Sequence, residues 1–269
     1  MADQILARRA KAFSMSLEGG GDARPADQAP DVLLKVSNLT KHYGGVTAVN
    51  DVSFDLIRNE ILAVVGPNGA GKTTLFGLIC GFIGRDKGDV WFDGRDVTGL
   101  PPHSIAKLGM VRSFQIVQFF PDLTVHETVV AAAMLHLSLP AARVLADEIL
   151  EDLDLVEKRN DLAVSLPMQS RKRLELAKCV ATRPKLIILD EVMAGLTLSE
   201  VEVPIAAIRK LRARGITFLM VEHVMPVVMQ LADRMLVLNF GELIMQGTPA
   251  QVMAHPDVQD AYLGAALDA

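Results

Sequence analysis

A glycine-rich stretch of the chain has the spacing of a phosphate-binding loop: residues 66–74 read GPNGAGKTT and fit the pattern G-x-x-x-x-G-K-[ST]. Glycines at these positions let backbone N–H groups approach a phosphate without a Cβ in between. The pattern predicts that Lys72 contacts the β- and γ-phosphates and that the Thr73 hydroxyl binds Mg²⁺. The nucleotide-binding residues are therefore predicted to be Gly66, Pro67, Asn68, Gly69, Ala70, Gly71, Lys72, Thr73 and Thr74.

The segments on either side of this loop favour the same interpretation. Residues 61–65 are continuously apolar and read as a short buried strand, and residues 74–79 read as the start of an apolar helix. A strand, a glycine loop and a helix in this order bring backbone N–H groups and a helix N-terminus onto a polyphosphate. The alternative, a glycine turn with a surface lysine, leaves this context unexplained.

Two carboxylates follow a second apolar strand. Residues 186–189 are all apolar, as in buried parallel strands, and Asp190 and Glu191 come directly after them. Because the carboxyl ends of parallel strands form the ligand-binding edge of an α/β sheet, we expect both acids beside the phosphate loop. Asp190 is predicted to hold Mg²⁺ through water, and Glu191 to orient and deprotonate the attacking water.

Composition limits the size of the fold and the kind of partner. The chain has 269 residues, of which 50% are hydrophobic, enough for one large α/β domain or two small ones. A mean hydropathy of +0.29 suggests a large parallel sheet or a surface buried against a partner. The net charge of −5 argues against a protein that coats nucleic acid. Cys80 and Cys179 match no metal or redox spacing and are expected to be reduced core residues, as in the cytosol.

We expect neither a secretory signal nor a membrane-spanning helix. Residues 1–12 lack a long apolar core, and the longest apolar stretch, residues 129–139, contains His136 and Ser138. That stretch is also too short to cross a bilayer. Any link to a membrane is therefore expected to come through a partner.

The order of elements predicts an α/β fold. Residues 1–30 contain glycine and proline clusters and read as a mostly disordered tail, followed by one domain over 31–265 with a helical subdomain over about 101–182. Strands are predicted at 32–36, 52–56, 61–65, 89–92, 186–189, 216–221, 235–239 and 242–245. Helices are predicted at 74–79, over most of 101–157, and at 174–182 and 200–214. The expected architecture is a mainly parallel core sheet with an antiparallel β section.

From about Val32 to Gly264, the chain resembles the ATP-binding subunits of ABC transporters. Beyond the phosphate loop and the Asp190-Glu191 pair, three positions match in order: Tyr43 before a glycine turn, Gln115 in RSFQ, and His223 in VEH. The resemblance implies that Tyr43 stacks on adenine, that Gln115 contacts Mg²⁺ and water while facing a membrane subunit, and that His223 contacts the γ-phosphate. A turn tyrosine and a structural histidine are the alternatives.

The resemblance also implies a P-loop NTPase of ABC type that binds ATP and Mg²⁺ and hydrolyses ATP. The implied catalytic residues are Glu191, His223, Gln115 and Lys72, and the implied metal ligands are Thr73, Gln115 and Asp190. Family members close as dimers, in which the phosphate loop of one subunit meets the signature stretch of the other. Leu196 and Thr197 fall where the family's D-loop crosses that interface.

The signature stretch departs from the family pattern, which is usually LSGGQ followed by QQR. Residues 166–173 read LPMQSRKR, so that the serine and both glycines are absent, and Pro167 has neither an N–H group nor a hydroxyl. Gln169, Ser170 and the N-terminus of the following helix are candidates to substitute in part. Val192 replaces the proline that usually follows the two acids. One interpretation is pairing with a different ATPase subunit, which gives unequal sites; the other is a degeneracy without such a consequence.

Three stretches resemble the ATPases of branched-chain amino acid importers and their amide or urea relatives: residues 114–127, residues 190–196, and the C-terminal residues 222–264. The family implies a second ATPase subunit, two membrane permeases and a periplasmic substrate-binding protein, with this chain at the cytoplasmic face of the inner membrane. The surface near Gln115, Phe119 and Phe120 is expected to dock a permease helix, unless the two phenylalanines are core residues. This chain contacts no transported substrate, so its sequence names none.

Three alternatives remain at this point. One is the ATPase of a different transport system, such as a lipid exporter. Another is a soluble ABC-type ATPase that acts on DNA or ribosomes, although the chain carries neither a second phosphate loop nor a long coiled-coil insertion. The third is a regulatory partner that binds ATP with little turnover.

Overall fold

The computed structural model describes residues 31–113, 120–197 and 200–259. The predicted tail over residues 1–30, Gln115, Phe119 and the C-terminal residues 260–265 lie outside the described residues. The domain boundaries drawn from the sequence stay a prediction.

Ten strands form two sheets in the described part of the chain. They are β1 (Val32–Tyr43), β2 (Val46–Ile57), β3 (Ile61–Val65), β4 (Lys87–Phe92), β5 (Arg95–Asp96), β6 (Met110–Arg112), β7 (Leu186–Asp190), β8 (Thr217–Val221), β9 (Arg234–Asn239) and β10 (Glu242–Gly247). The four-stranded sheet has the order β2-β1-β4-β5 and the six-stranded sheet the order β10-β9-β3-β8-β7-β6. All pairs in the larger sheet are parallel except β9 with β10, and the smaller sheet is antiparallel, which confirms the predicted fold class.

Eight α-helices are described in the same part of the chain. They are α1 (Lys72–Ile79), α2 (Pro102–Leu108), α3 (Val125–Ala133), α4 (Leu139–Asp152), α5 (Met168–Ala181), α6 (Glu202–Ala213), α7 (Met225–Leu231) and α8 (Pro249–Met253). Short 3₁₀ turns cover Val156–Lys158 and Ala163–Ser165. None of the helices in residues 31–113, 120–197 and 200–259 has the length and apolar character needed to cross a membrane.

The central strands are apolar at every position because both faces of the larger sheet are covered. In β3, Ile61, Ala63 and Val65 pack into one hydrophobic cluster, while Leu62 and Val64 pack into the other. The residues of β7 and β8 divide between the same two clusters. Continuous burial on both faces explains why these strands show no polar alternation in the sequence. It also fixes their carboxyl ends at one edge, where residues 66 and 190–191 follow.

The first two strands are longer than the sequence predicts. The expected strands at 32–36 and 52–56 are parts of β1 and β2, two strands of twelve residues each that form a hairpin with a turn at Gly44, where φ is 58°. Asn38 and Asp51 both have positive φ and interrupt the pairing register, and the Asn38 side-chain amide donates to Asp51 at 2.8 Å. These irregularities break the apolar alternation without ending the strands, which is why the pattern underestimates their length.

Strand β6 is a correction to the mainly helical prediction for residues 101–157. Helix α2 ends at Gly109, which has φ 103°, and Met110, Val111 and Arg112 then pair with Leu186, Ile187 and Ile188 of β7. Three residues carry too little pattern to be recognised as a strand, and pairing with a buried neighbour decides their conformation. This short strand brings Arg112 to the same edge as Asp190.

Candidate nucleotide-binding and hydrolysis site

The phosphate-loop backbone is held in a shape that only glycine permits at two positions. Gly71, the N-cap of α1, has φ 99°, and a Cβ placed there would lie 2.1 Å from the carbonyl oxygen of Ala48. A Cβ on Gly66 would lie 2.1 Å from the carbonyl oxygen of Leu238. The loop is therefore pressed against the β1–β2 hairpin and against β9, in the glycine-dependent shape expected of a phosphate cradle. Such a cradle fits a polyphosphate.

Lys72 lies across the loop. Its ammonium group donates to the carbonyl oxygens of Gly66 at 2.7 Å and Pro67 at 2.9 Å, and its side chain is mostly buried. Burial lowers the pKa of Lys72, while the negative charge of Glu191 raises it. The lysine charge is thus held at the loop and within electrostatic range of the predicted catalytic carboxylate. Thr73, the predicted Mg²⁺ ligand, is exposed at the first turn of α1.

Asp190 ends β7 and is paired with a residue that the sequence analysis gave no role. Arg112 donates through Nη2 to Asp190 Oδ2 at 2.5 Å, and both side chains are largely buried. The backbone N–H of Asp190 donates to Ser113 Oγ at 3.2 Å. The sequence signal for this ion pair was the arginine itself, which lies in a short apolar stretch between α2 and Ser113. A charged residue in a buried strand needs a partner.

Glu191 and His223 meet at the carboxyl ends of β7 and β8. His223 donates through Nε2 to Glu191 Oε1 at 2.7 Å. Glu191 has φ 51°, a left-handed conformation, and its N–H donates to the carbonyl oxygen of Val221 at 3.0 Å. A non-glycine residue held in this conformation at a sheet edge is typical of functional sites. The two residues are brought together as candidates for one hydrolytic site; their separate roles stay a prediction.

Tyr43 ends β1 and is half exposed, with the Lys41 ammonium 5.4 Å from its ring centroid. It pairs with Val46 across the hairpin turn, and the following Ala48 contacts the start of α1. An accessible aromatic ring is therefore placed on the hairpin that supports the phosphate loop. Gln115, predicted to contact Mg²⁺ and water, lies outside the described residues.

Two polar side chains of the signature stretch bond within the chain. Ser170 is buried and its hydroxyl accepts from Arg173 at 3.4 Å, and the Gln169 side-chain amide donates to Glu200. Both side chains are therefore engaged within the chain, and their part in replacing the missing serine stays a prediction. Pro167 is the N-cap of α5, and no side chain caps this helix. The first backbone N–H groups of α5 have no intrahelical acceptor, as at any helix N-terminus.

A groove of about 550 Å³ adjoins this site between α1, α2 and α5. Phe82 and Phe120 line it and are exposed, so that Phe120 is not a core residue. Arg112 lines the same groove, 5.9 Å from the Phe82 ring, while it also pairs with Asp190. Phe119, the other predicted docking residue, lies outside the described residues. Cys80 and Cys179 also line the groove, and both are buried free thiols, as predicted.

Comparisons with known proteins agree with this geometry. The family described as "ABC transporter" matches residues 49–194, and the family described as "Branched-chain amino acid ATP-binding cassette transporter" matches residues 242–268. The chain is 39% identical to the high-affinity branched-chain amino acid transport ATP-binding protein BraF of Pseudomonas aeruginosa over 251 residues, covering 87% of this chain and 98% of that protein.

Two further similarities cover nearly the same part of the chain. The high-affinity branched-chain amino acid transport ATP-binding protein LivG of Escherichia coli K12 is 38% identical over 251 residues, covering 87% of this chain and 98% of LivG. The solved structure of the ADP conformation of MJ1267, an ATP-binding cassette of an ABC transporter, superposes with a TM-score of 0.78 at 29% identity, covering 87% of this chain and 99% of MJ1267.

Proposed function

This chain belongs to the ABC transporter family of ATP-binding proteins, and we propose from that premise that it is the ATP-hydrolysing motor subunit of an importer for branched-chain amino acids or related small amides. The substrate class is supported by the match over residues 242–268 and by the similarity to BraF and LivG. The C-terminal match also favours amino-acid import over the lipid-export alternative.

One observation carries the hydrolytic role: Lys72, Glu191 and His223 converge at the carboxyl ends of β3, β7 and β8. The negative charge of Glu191 raises the pKa of Lys72, and Glu191 accepts a hydrogen bond from His223. A cation beside the phosphate cradle and a carboxylate–imidazole pair next to it are the groups that phosphoryl transfer to water needs.

The residues of the site fit a triphosphate with a divalent cation. The glycine cradle and Lys72 stabilise negative charge on the phosphates, and Glu191 orients and deprotonates the attacking water. Thr73 and Asp190, together with Gln115, would hold Mg²⁺, a hard cation that prefers such oxygen ligands. When bound, the cation neutralises developing charge on the transferred phosphoryl group. Arg112 orients Asp190, since it pairs with that carboxylate at 2.5 Å.

We further propose that the partner in the ATPase dimer is a different subunit. Two copies of this chain would place Pro167, Met168 and Gln169 opposite both phosphate loops, where Pro167 and Met168 have no side-chain donor and the Gln169 amide donates to Glu200. A partner with an intact signature stretch would complete the site on the phosphate loop of this chain. The second composite site, built on residues 166–169, would then turn over slowly.

The groove beside Phe82, Phe120 and Arg112 is the proposed docking site for a cytoplasmic helix of a membrane permease. Its exposed aromatic rings suit an apolar helix face, and Arg112 joins the groove to Asp190. Docking there would hold the chain at the cytoplasmic face of the membrane. A periplasmic binding protein would be an indirect partner, across the membrane.

Uptake by cells tests the proposed substrate class. A strain lacking the chromosomal copy would carry a plasmid with the wild-type chain or with Lys72→Ala, and uptake of radiolabelled leucine, urea and a small amide would be measured. We expect the wild-type chain alone to restore uptake of leucine or of one of the amides. Equal uptake of all three compounds in the deletion and complemented strains would overturn the proposal.

A further inference from the structure

Glu222 is a buried carboxylate for which the hydrolytic mechanism has no use. It lies between Val221, the last residue of β8, and His223, and its side chain is almost fully buried, with the residue 2% exposed. Its Oε1 accepts a hydrogen bond from the backbone N–H of Met193 at 2.9 Å. Burying a carboxylate costs several kcal/mol unless its contacts compensate. We therefore expect Glu222 to fix the position of a neighbouring segment of the chain.

Glu222 binds the loop that follows Glu191, the proposed catalytic carboxylate. This 191–196 loop turns back on itself, because Ala194 N–H donates to the carbonyl oxygen of Glu191 at 3.1 Å and Leu196 N–H to that of Met193 at 3.1 Å. It starts from the left-handed backbone of Glu191 and continues through Val192, which has no ring to fix its φ. The bond from Met193 to Glu222 therefore constrains a strained turn.

Lys172, on helix α5, binds the same 191–196 loop. This residue of α5 is mostly buried, and its ammonium group donates to the carbonyl oxygen of Ala194. Desolvation lowers the pKa of Lys172, and the charge of Glu222 raises it. Burial raises the pKa of Glu222 to about 7, with Glu191 adding to the rise, while the Met193 N–H, Lys172 and the backbone of His223 oppose it. Glu222 and Lys172 thus interact electrostatically with little solvent screening, and each binds the backbone of the 191–196 loop.

We propose that Glu222 and Lys172 are positioning residues for ATP hydrolysis: they clamp the 191–196 loop from β8 and from α5, and so fix the contact between Glu191 and His223. The proposal rests on the proposed ATPase function. Because Lys172 belongs to the helix that starts at the signature stretch, the clamp also ties that helix to the hydrolytic carboxylate of the same subunit.

Two substitutions at residue 222 separate positioning from folding. Glu222→Met keeps the volume but removes both the charge and the acceptor, so that Lys172 and the Met193 N–H lose a buried partner and stability is expected to fall. Glu222→Gln keeps an acceptor oxygen for the Met193 N–H. The tagged chain would be purified with the subunits that accompany it, and ATP hydrolysis and thermal unfolding would be measured for each variant.

We expect Glu222→Met to lower kcat about tenfold, a loss of ~1.4 kcal/mol in transition-state stabilisation, with KM for ATP close to wild type, and to lower the unfolding temperature because Lys172 and the Met193 N–H lose their partner. Glu222→Gln should restore kcat to within about threefold of wild type, and Lys172→Met should lower kcat with KM unchanged. A kcat for Glu222→Met within twofold of wild type, or a Gln variant as slow as the Met variant, would overturn the clamp. An unchanged kcat in Lys172→Met would overturn the link to α5. If the wild-type complex itself hydrolyses no ATP, the proposed function fails instead.

Discussion

The phosphate loop and the signature stretch differ in where they get their shape. Both lead into the N-terminus of a helix, α1 and α5. The phosphate loop is shaped by backbone contacts of Gly66 and Gly71, which leave Lys72 and Thr73 beside the cradle. The signature stretch is shaped by side chains that bond within the chain.

The basic residues of α5 illustrate the second case. Arg171 donates to the carbonyl oxygens of Leu166 at 2.7 Å and Val164 at 2.6 Å, and Arg173 donates to that of Asp154 at 2.8 Å. These bonds hold both guanidinium groups against the chain and stabilise the stretch from within. The phosphate loop is supported mainly by the packing of two glycines, although its lysine also donates to loop carbonyls, whereas the signature stretch is supported by arginine side chains.

The largest expected effect is on the affinity for Mg-ATP, and it distinguishes a charge in the phosphate loop from a charge in the signature stretch. Lys72→Ala should weaken binding of Mg-ATP at least about 100-fold, roughly 3 kcal/mol, because a charge-assisted contact to the phosphates is lost. Arg171→Ala, on the signature side, should change the affinity less than about twofold. Isothermal titration with Mg-ATP measures both. Comparable losses in the two variants would mean that the comparison between the faces is wrong.

A second prediction concerns the backbone of the cradle. Gly71→Ala should cost about 2 kcal/mol more stability than Gly69→Ala, because both glycines have positive φ but only the Cβ at residue 71 would meet the carbonyl of Ala48. At Gly69, the same Cβ would meet nothing within 4 Å. Urea unfolding of the two variants measures the difference. Equal stabilities would show that close packing against the hairpin does not shape the loop.

The smallest effect is expected at the signature stretch. Pro167→Ser restores a hydroxyl and an N–H, yet Ser170 and Gln169 remain engaged with Arg173 and Glu200. We therefore expect the rate of ATP hydrolysis by the intact complex to change less than about twofold. A rise of tenfold or more would indicate that a single missing hydroxyl, and not the internal bonding of the stretch, limits this face.

The same contrast explains what the sequence could predict. Local pattern predicted the phosphate loop, strands β3 and β7 and the position of Glu191, because each depends on a glycine spacing or a continuous apolar run. Arg112 and Glu222 escaped it, since their importance comes from Asp190 and Met193, which are far away in sequence. The bond between Gln169 and Glu200 was hidden for the same reason. Side chains that bond across elements require the fold.

Turnover by the intact complex with Glu191→Gln in this chain tests most directly the claim that hydrolysis occurs on its phosphate-loop face. The complex would be isolated through a tag on this chain, and phosphate release would be followed at saturating Mg-ATP. We predict that the rate falls at least about 100-fold, the usual range for losing a general base, while ATP binding is retained. Turnover that stays near half of the wild-type rate would contradict the account, since hydrolysis would then proceed at the site that uses residues 166–169.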